Sequence, residues 1–425
     1  MRVLVLGSGG REHALAWKIA KSPLVEAVLA APGSDGIARD ATCFSDVPAG
    51  DVARVLALAR EEGVDLVVVG PEDPLVAGLA DRLREAGVAT FGPSQSAARL
   101  EGSKSFAKRF MLRHGIPTAR FEVFEDEGAA RAHVRQLGGP CVVKADGLAA
   151  GKGVAVCDGP EQAEAALAEI MGERRFGEAG AKVVVEERLR GEEASYYAVT
   201  DGDTVVTLAA AQDSKRIFDG DRGENTGGMG AYSPTPALGE PGEKRVLEEI
   251  VYPVIRGMKA EGAPYTGVLY VGLMIGPKGE LDVIEFNVRF GDPETQPLVV
   301  RMSGDLVPLL DGAARGRLDP GMAPSFDDAA VCVVLAAPGY PRAFPRDLPI
   351  EGLEAALEDP NVVVFHAGTR LGPGGAFRTA GGRVLGVTGR AGSLREARAR
   401  TYAAAERIRF EGVHYRRDIA ARALS

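Results

Sequence analysis

The chain has 425 residues, of which 45% are apolar and 26% charged, and its net charge is −9. That length exceeds what one core usually holds, so about two to four domains are expected, and the composition excludes a disordered chain. The acidic balance excludes sequence-independent binding of nucleic acid, which needs clustered Lys and Arg against phosphates, but leaves room for a local basic pocket.

Residues 1–101 alternate strand and helix. "VLVLG" (3–7) is an apolar run ending in glycine, and Ala14, Trp17 and Ala20 recur at helical spacing after it. "AVLAA", a helix from Val52 to Glu62, "DLVVVG" ending at Gly70 and a helix from Pro74 follow. Continuous Val/Leu runs mark strands buried on both faces, and their alternation with helices predicts a doubly wound parallel sheet with its ligand beyond the carboxyl strand ends. A helix closed by Gly115 and Pro117 comes next. Strands "ARFEVF" and "CVVKA", a glycine-rich turn, "GVAVC", a helix and "KVVVEERL" then predict a compact α+β unit over 118–189.

"ASYYAVTDGDTVVTLAAAQD" reads as a hairpin turned at 201–203. No strand or helix period fits "RIFDGDRGENTGGMGAYSP" (216–234), which is expected to be a glycine-rich loop inserted within the central region. A helix over 244–261, kinked at Pro253, precedes a second hairpin turned at 277–279. A new unit starts near residue 327 with "AAVCVVLAAPGYP" and ends in short strands and helices from Ser393. The fold class expected is α/β and α+β multidomain. Its parts are 1–101, a central domain of 102–117 with 190–326, a lid of 118–189, and a small C-terminal α+β domain of 327–425.

Four stretches carry chemistry. "GSGGREHA" follows a strand and opens a helix, where backbone N–H groups and the helix dipole hold anions. It is not a dinucleotide fingerprint, because Glu12 stands where the third glycine belongs and no acid ends the second strand. A phosphate site on Gly9, Gly10 and Arg11 fits better, with Glu72, after Gly70, facing the same crevice. In "VVKADGLAAGKGVAV", Lys144 ends an apolar strand before a glycine-rich turn, an arrangement suited to a nucleotide triphosphate. Lys152 is followed by Gly153, which excludes the Gly-x4-Gly-Lys-Ser/Thr loop.

In "VVVEERLRGEEAS", backbone groups after Glu186 can read an adenine, and Glu193 can take ribose hydroxyls. In "DVIEFNVRFGDPETQ", Glu285 and Asn287 project to one face of a strand and offer hard oxygen ligands for Mg²⁺. Arg289 continues that face, where a cation stabilises charge on a transferring phosphoryl group.

The five histidines show no metal spacing and most are expected at the surface or at helix caps, so no zinc site is expected. Cys43, Cys141, Cys157 and Cys332 form no Cys-x-x-Cys pair, and no disulfide framework is expected. No apolar run approaches the roughly 20 residues of a membrane span. "MRVLVLGSGGREHA" meets glycine and charge too early for a secretory leader, so a cytoplasmic protein is expected.

Together "GGREHALAWK", "GPSQSAARLEGSKSFAK", "VVKADGLAAGKGV", "EERLRGEEAS", "DGDRGENTGGMGAYSP", "GVLYVGLM" and "EFNVRFGDPETQ" resemble the phosphoribosylamine–glycine ligases, or glycinamide ribonucleotide synthetases, of the ATP-grasp superfamily. The likeness spans essentially the whole chain. It implies ATP-dependent ligation of glycine to 5-phosphoribosylamine through a glycyl phosphate, a step of de novo purine synthesis. It places ATP on Lys104, Lys144, Gly147, Gly151, Lys152, Gly153, Glu186, Glu187, Leu189 and Glu193, and Mg²⁺ or Mn²⁺ on Glu285 and Asn287. Arg289, Lys215 and Asp213 take catalytic places, with Arg216 beside them. Gly9, Gly10, Arg11, Glu12, Gly70, Glu72, Asn225, Thr226, Gly227 and Asp292 face the substrates. A monomer or weak dimer is implied, without nucleic-acid or membrane partners.

The chain departs from the family pattern at Ser214, where histidine is usual, at Glu224 before Asn225, and near Gly33, where an asparagine is often found. Two rival readings follow from the same residues. A bicarbonate-phosphorylating carboxylase shares the lysines and the Glu/Asn strand but is not expected to carry "RFGDPETQ". A dinucleotide-dependent oxidoreductase or nucleotide sensor lacks its third glycine and its acid here.

Overall fold

The structure, a computed structural model, describes residues 1–149 and 152–424. The first layer is a parallel five-stranded sheet in the spatial order 42–43, 27–32, 2–7, 66–69, 89–91. Val3–Leu6 and Leu66–Val68 are fully buried, as continuous apolar runs under helices on both faces require. Helices Gly10–Ile19, Val52–Glu61, Glu72–Val76 and Leu79–Glu85 alternate with the strands. The last two are split at Gly78, whose φ of +89° suits glycine.

Two helices, Gln95–Gly102 and Lys104–Arg113, carry the chain onward. Ser103 breaks the run and caps the second helix through Phe106 N. An antiparallel sheet ordered 121–124, 183–187, 141–145, 154–157 then forms a unit with its own core of Val134, Cys141, Val143, Leu167 and Val185. Helix Glu127–Leu137 was not foreseen. It buries only Ala130 and Val134, too thin an apolar stripe to stand out, although its Asp126 cap and the left-handed Gly138 are legible signals. Cys141 and Cys157 face each other across this sheet as free thiols.

A second antiparallel sheet runs 205–207, 192–200, 267–275, 281–287. One of its faces carries two rows across the strands, Ser195–Gly272–Glu285 and Tyr197–Tyr270–Asn287. Gly272 leaves the space that Glu285 uses, since a Cβ there would stand 3.2 Å from the Glu285 Cγ. The helix expected over 244–261 spans 240–260 and passes Pro253 through a π-turn at Leu247–Val251, which absorbs the missing N–H.

The segment 216–234 is not the featureless loop expected. Arg216–Phe218 and Arg222–Asn225 form a two-stranded hairpin. Gly230–Ser233 pairs with Ala329–Ala336 in an antiparallel sheet ordered 212–213, 230–233, 329–336, 383–391, 362–366. The segment therefore joins the sheet of the C-terminal part and does not stay within the central one. Its period was hidden because 222–224 is exposed whereas 230–233 is wholly buried. Helix Leu394–Ala405, capped by Ser393, covers that sheet. The wholly buried helix Thr295–Arg301 lies between it and helix Gly10–Ile19. His13 and His366 are buried at this junction, with ring centroids 5.6 Å apart, and stand outside the surface or cap placement expected of most histidines. Among the described residues no helix is long and apolar enough to cross a membrane.

Candidate active site

The site lies where the four larger sheets converge, and two sequence stretches are tied together to build its floor. Asp146, just past Lys144, accepts Ser105 N at 2.6 Å and the Ser103 hydroxyl at 3.2 Å, and its carbonyl accepts Lys104 N at 2.9 Å. Asp146 thus holds the start of the Lys104 helix beside the Lys144 strand. Lys104 Nζ donates to Gly147 O at 3.0 Å. Burial pushes the Lys104 ammonium below its ordinary range, Glu285 pulls it back, and Lys144 adds to the lowering.

Lys144 is almost fully buried and reaches Glu186 Oε2 at 2.9 Å and Ile284 O at 3.2 Å. Lys108, which sequence reading passed over, meets the same Glu186 oxygen at 3.0 Å and Thr118 Oγ1 at 2.7 Å. Burial brings Lys108 down to about 8, against the pull of Glu186. The other oxygen, Glu186 Oε1, is buried without a hydrogen-bond partner among the described residues. Such an orphan acceptor is unfavourable unless a donor arrives. Glu187 alternates to the other side, where it accepts Arg120 N at 3.0 Å and Arg120 Nε at 3.1 Å. Leu189 lies half-buried beyond the strand end. Gly147 and Gly153 are close-packed, with a Cβ standing 2.8 Å from Ala179 Cβ and 2.6 Å from Ala149 Cβ respectively. Lys152 is exposed, and Gly151 lies outside the described residues.

Glu285 is ringed by cations. Burial would raise its carboxyl, but Lys215, Lys144, Lys104 and Arg289 together hold it below the usual range. Lys215 Nζ sits 2.9 Å from Glu193 Oε2 and 4.0 Å from Glu285 Oε1. Burial raises Asp213, with Lys215 opposing and Glu294 and Glu193 reinforcing the rise. Among the described residues no three His, Cys, Asp or Glu side chains form a metal site. Glu285 and Asn287 supply two oxygen ligands, enough for a cation that takes the rest from phosphate and water.

Arg289 is clamped. Its Nε donates to Glu72 Oε2 at 3.0 Å, Nη2 meets Glu101 Oε1 at 3.0 Å and Asn287 Oδ1 at 3.3 Å, and Nη1 donates to Phe290 O at 3.1 Å. Glu101 was also passed over. Its second oxygen accepts Val288 N at 2.7 Å, and burial pushes its carboxyl up to about 7 against the pull of Arg289. Burial acts the same way on Glu72, yet Arg289 and Arg11 keep it below the ordinary range.

The N-terminal turn is filled from within. Glu12 Oε2 accepts Gly9 N at 2.7 Å, and Glu12 Oε1 accepts Arg11 Nε at 2.5 Å. A Cβ on Gly70 would stand 2.3 Å from Glu12 Oε1, and one on Gly7 2.5 Å from Glu12 Cγ. The Gly9 N–H expected for a phosphate is thus engaged by the chain's own carboxylate. Arg11 also donates to Phe290 O at 3.2 Å, the carbonyl that Arg289 shares, so the two arginines adjoin. Asp292 carboxylate oxygens come within 3.9 and 3.7 Å of the Cβ positions of Gly9 and Gly10.

Thr226 builds its own loop. Its N and Oγ1 each donate to Lys215 O at 2.8 Å, and Oγ1 accepts Gly228 N at 3.0 Å. Asn225 pairs with Arg216 in the hairpin. The glycines are fixed by neighbours. A Cβ on Gly227 would lie 3.0 Å from the Arg383 guanidinium carbon, and one on Gly228 (φ +109°) would lie 2.4 Å from Pro293. Glu224 forms a forked pair with Arg342 at 2.9 Å, and Ser214 is buried just past the strand Gln212–Asp213. Arg383 has no local signal in sequence.

Lys104 at a helix start, Lys144 at a strand end, the Glu285–Asn287 strand and Arg289 thus meet in one place. Three family models match the chain: the N domain of phosphoribosylglycinamide synthetase over 1–101, its ATP-grasp (A) domain over 102–295 and its C domain over 330–422. A phosphoribosylamine–glycine ligase of Agrobacterium fabrum is 52% identical over 426 residues, covering 100% of this chain and 99% of that one. The crystal structure of a phosphoribosylamine–glycine ligase from Thermotoga maritima is 38% identical with a TM-score of 0.85, over 99% of this chain and 100% of that one. A biotin carboxylase domain from Hydrogenobacter thermophilus, solved with MgADP and bicarbonate, shares the fold at 19% identity and a TM-score of 0.73, over 97% and 91% of the two chains. The chain belongs to the phosphoribosylglycinamide synthetase family.

Proposed function

We propose that this chain joins glycine to 5-phospho-D-ribosylamine in de novo purine synthesis, giving glycinamide ribonucleotide, ADP and phosphate. The carrying observation is the row Glu285, Asn287 and Arg289, set between the Lys104–Lys144 pair and the Gly9–Gly10 turn. A carboxylate is a poor acyl donor because its leaving group is oxide. One glycine carboxylate oxygen attacks the γ-phosphorus, and ADP leaves. The amine of phosphoribosylamine then attacks the acyl carbon, and phosphate leaves with that oxygen while the nitrogen loses a proton. The protein's part is positioning and charge neutralisation.

Glu186 Oε1, buried and unpaired, suits the amino group of adenine. Glu193 suits the ribose, and Lys104 and Lys144 the phosphates. Mg²⁺ or Mn²⁺ on Glu285 and Asn287 neutralises the triphosphate charge when bound. Arg289, held on two sides by Glu72 and Glu101, presents a fixed cation to the acyl phosphate. Lys215 and Asp213 line the passage between the two halves. Gly147 and Gly153, on the lid side, help shield the acyl phosphate from water.

Because Gly9 N is taken, the phosphate of the phosphoribosyl group is received by Gly10 and the nearby arginines rather than by an open anion hole. The units 1–101, 118–189 and 327–425 around the central residues serve as wall, lid and wall. The protein works in the cytoplasm, as a monomer or weak dimer, and the exposed large apolar side chains falling in separate elements favour the monomer.

ADP release tests this reading. Release with glycine, raised by phosphoribosylamine generated in situ, is expected. Release with bicarbonate in place of glycine overturns it.

A further inference from the structure

Arg383 opens the strand Arg383–Ala391 in the C-terminal part, and its side chain reaches Asp292, three residues past Arg289. Nη2 donates to Asp292 Oδ2 at 2.8 Å, and Nη1 donates to Asp292 O at 2.8 Å and to Gly227 O. The fork therefore ties the turn that follows Arg289 to the glycine pair of 226–228. Gly227 lacks a side chain where the guanidinium lies, and its N–H is held by Tyr340 OH at 3.0 Å, so both of its backbone polar groups answer to the C-terminal part. Ala367, on the turn beside Val384, packs at 3.4 Å from the Cβ position of Gly10. Asp292 also accepts Gln296 Nε2 at 2.8 Å. Burial acts to raise the Asp292 carboxyl, but Arg383, then Arg11, holds it below the ordinary range, so it stays ionised beside the turn of Gly9 and Gly10.

We propose that Arg383 is a positioning residue for the phosphoribosyl substrate: it cancels the charge of Asp292, which would otherwise repel the substrate phosphate, and it fixes the Gly227 loop over the site. This rests on the ligase reading. A planar fork with three acceptors is not replaceable by a point charge, so lysine restores the charge without restoring the loop.

The test is calorimetric titration of the full-length chain with glycinamide ribonucleotide and, separately, with ADP–Mg²⁺. Unmodified protein that fails to bind glycinamide ribonucleotide overturns the ligase reading itself. With binding established, Arg383→Gln is expected to weaken glycinamide ribonucleotide about 10-fold or more and ADP–Mg²⁺ by less than about 2-fold, with Arg383→Lys between. Removing the repelling carboxylate as well, in Arg383→Gln/Asp292→Asn, is expected to recover part of the loss, because the two residues act as a pair. Equal weakening of both ligands, unchanged affinity for glycinamide ribonucleotide in Arg383→Gln, or a double variant as weak as the sum of the singles each overturns the proposal.

Discussion

Glu101→Gln separates what holds Arg289 from what holds the fold. The carboxyl is pushed from its ordinary 4.5 to about 7, by burial first, with Arg289 opposing and Glu72 reinforcing. At 1.36 kcal/mol per pH unit, that rise is about 3 kcal/mol of preference for the neutral form. The sign follows from linkage. A carboxyl with a raised folded pKa binds its proton more tightly when folded, so it favours the fold increasingly as pH falls from 7 towards 4.5. Its full penalty stands above 7.

Glutamine copies the neutral shape at every pH. It also sets an amide N–H₂ against one of two donors, Val288 N or Arg289, at a cost of about 1–3 kcal/mol that does not vary with pH. The difference in stability between variant and parent should therefore move by about 2–3 kcal/mol in the variant's favour between pH 5 and pH 8, since part of the penalty is already present at pH 5. Turnover should fall about 10-fold or more, since Arg289 loses one of its two carboxylate clamps. Denaturant titrations at the two pH values and steady-state kinetics measure both. A stability difference that stays constant with pH refutes the reasoning.

Glu285→Gln should lower turnover about 100-fold at limiting Mg²⁺, and unchanged turnover there removes Glu285 from the metal site. Glu186→Gln leaves two buried ammonium groups without their carboxylate, so stability should fall by about 3–5 kcal/mol and the KM for ATP should rise. Adding Lys108→Met should return part of that stability in a thermal melt, and a melt identical to that of Glu186→Gln counts against the shared pair. Gly70→Ala places a Cβ against Glu12 Oε1 and Leu6 O and should destabilise by about 1–3 kcal/mol. A melting midpoint equal to the parent's shows that Glu12 can move aside.

The parts of the site that lie close in sequence were legible. Spacing of two on an apolar strand puts Glu285 and Asn287 on one face, and the parallel sheet follows from its Val runs. The rest depends on partners far apart in the chain. Glu101 meets Val288 across 187 residues, and Arg383 meets Asp292 across 91. No local pattern distinguishes either from a surface charge. The reading of Gly9 as a phosphate cradle met a competitor close at hand, because Glu12 lies only three residues on and satisfies that N–H itself. The segment 216–234 shows the opposite difficulty. Its glycines look like a linker's, yet Gly227 and Gly228 are small because Arg383 and Pro293 occupy the space beside them. Of the departures from the family, Glu224 lies on an exposed ion pair with Arg342, whereas Ser214 is buried between Asp213 and Lys215, whose Nζ stands 4.0 Å from Glu285 Oε1.

The most direct test of the central claim follows the carboxylate oxygens of glycine. With glycine labelled by ¹⁸O in both carboxylate positions, turnover with ATP and phosphoribosylamine should deliver one labelled oxygen into each phosphate released and leave the other in the amide. Phosphate released without label, at a rate matching amide formation, contradicts passage through a glycyl phosphate.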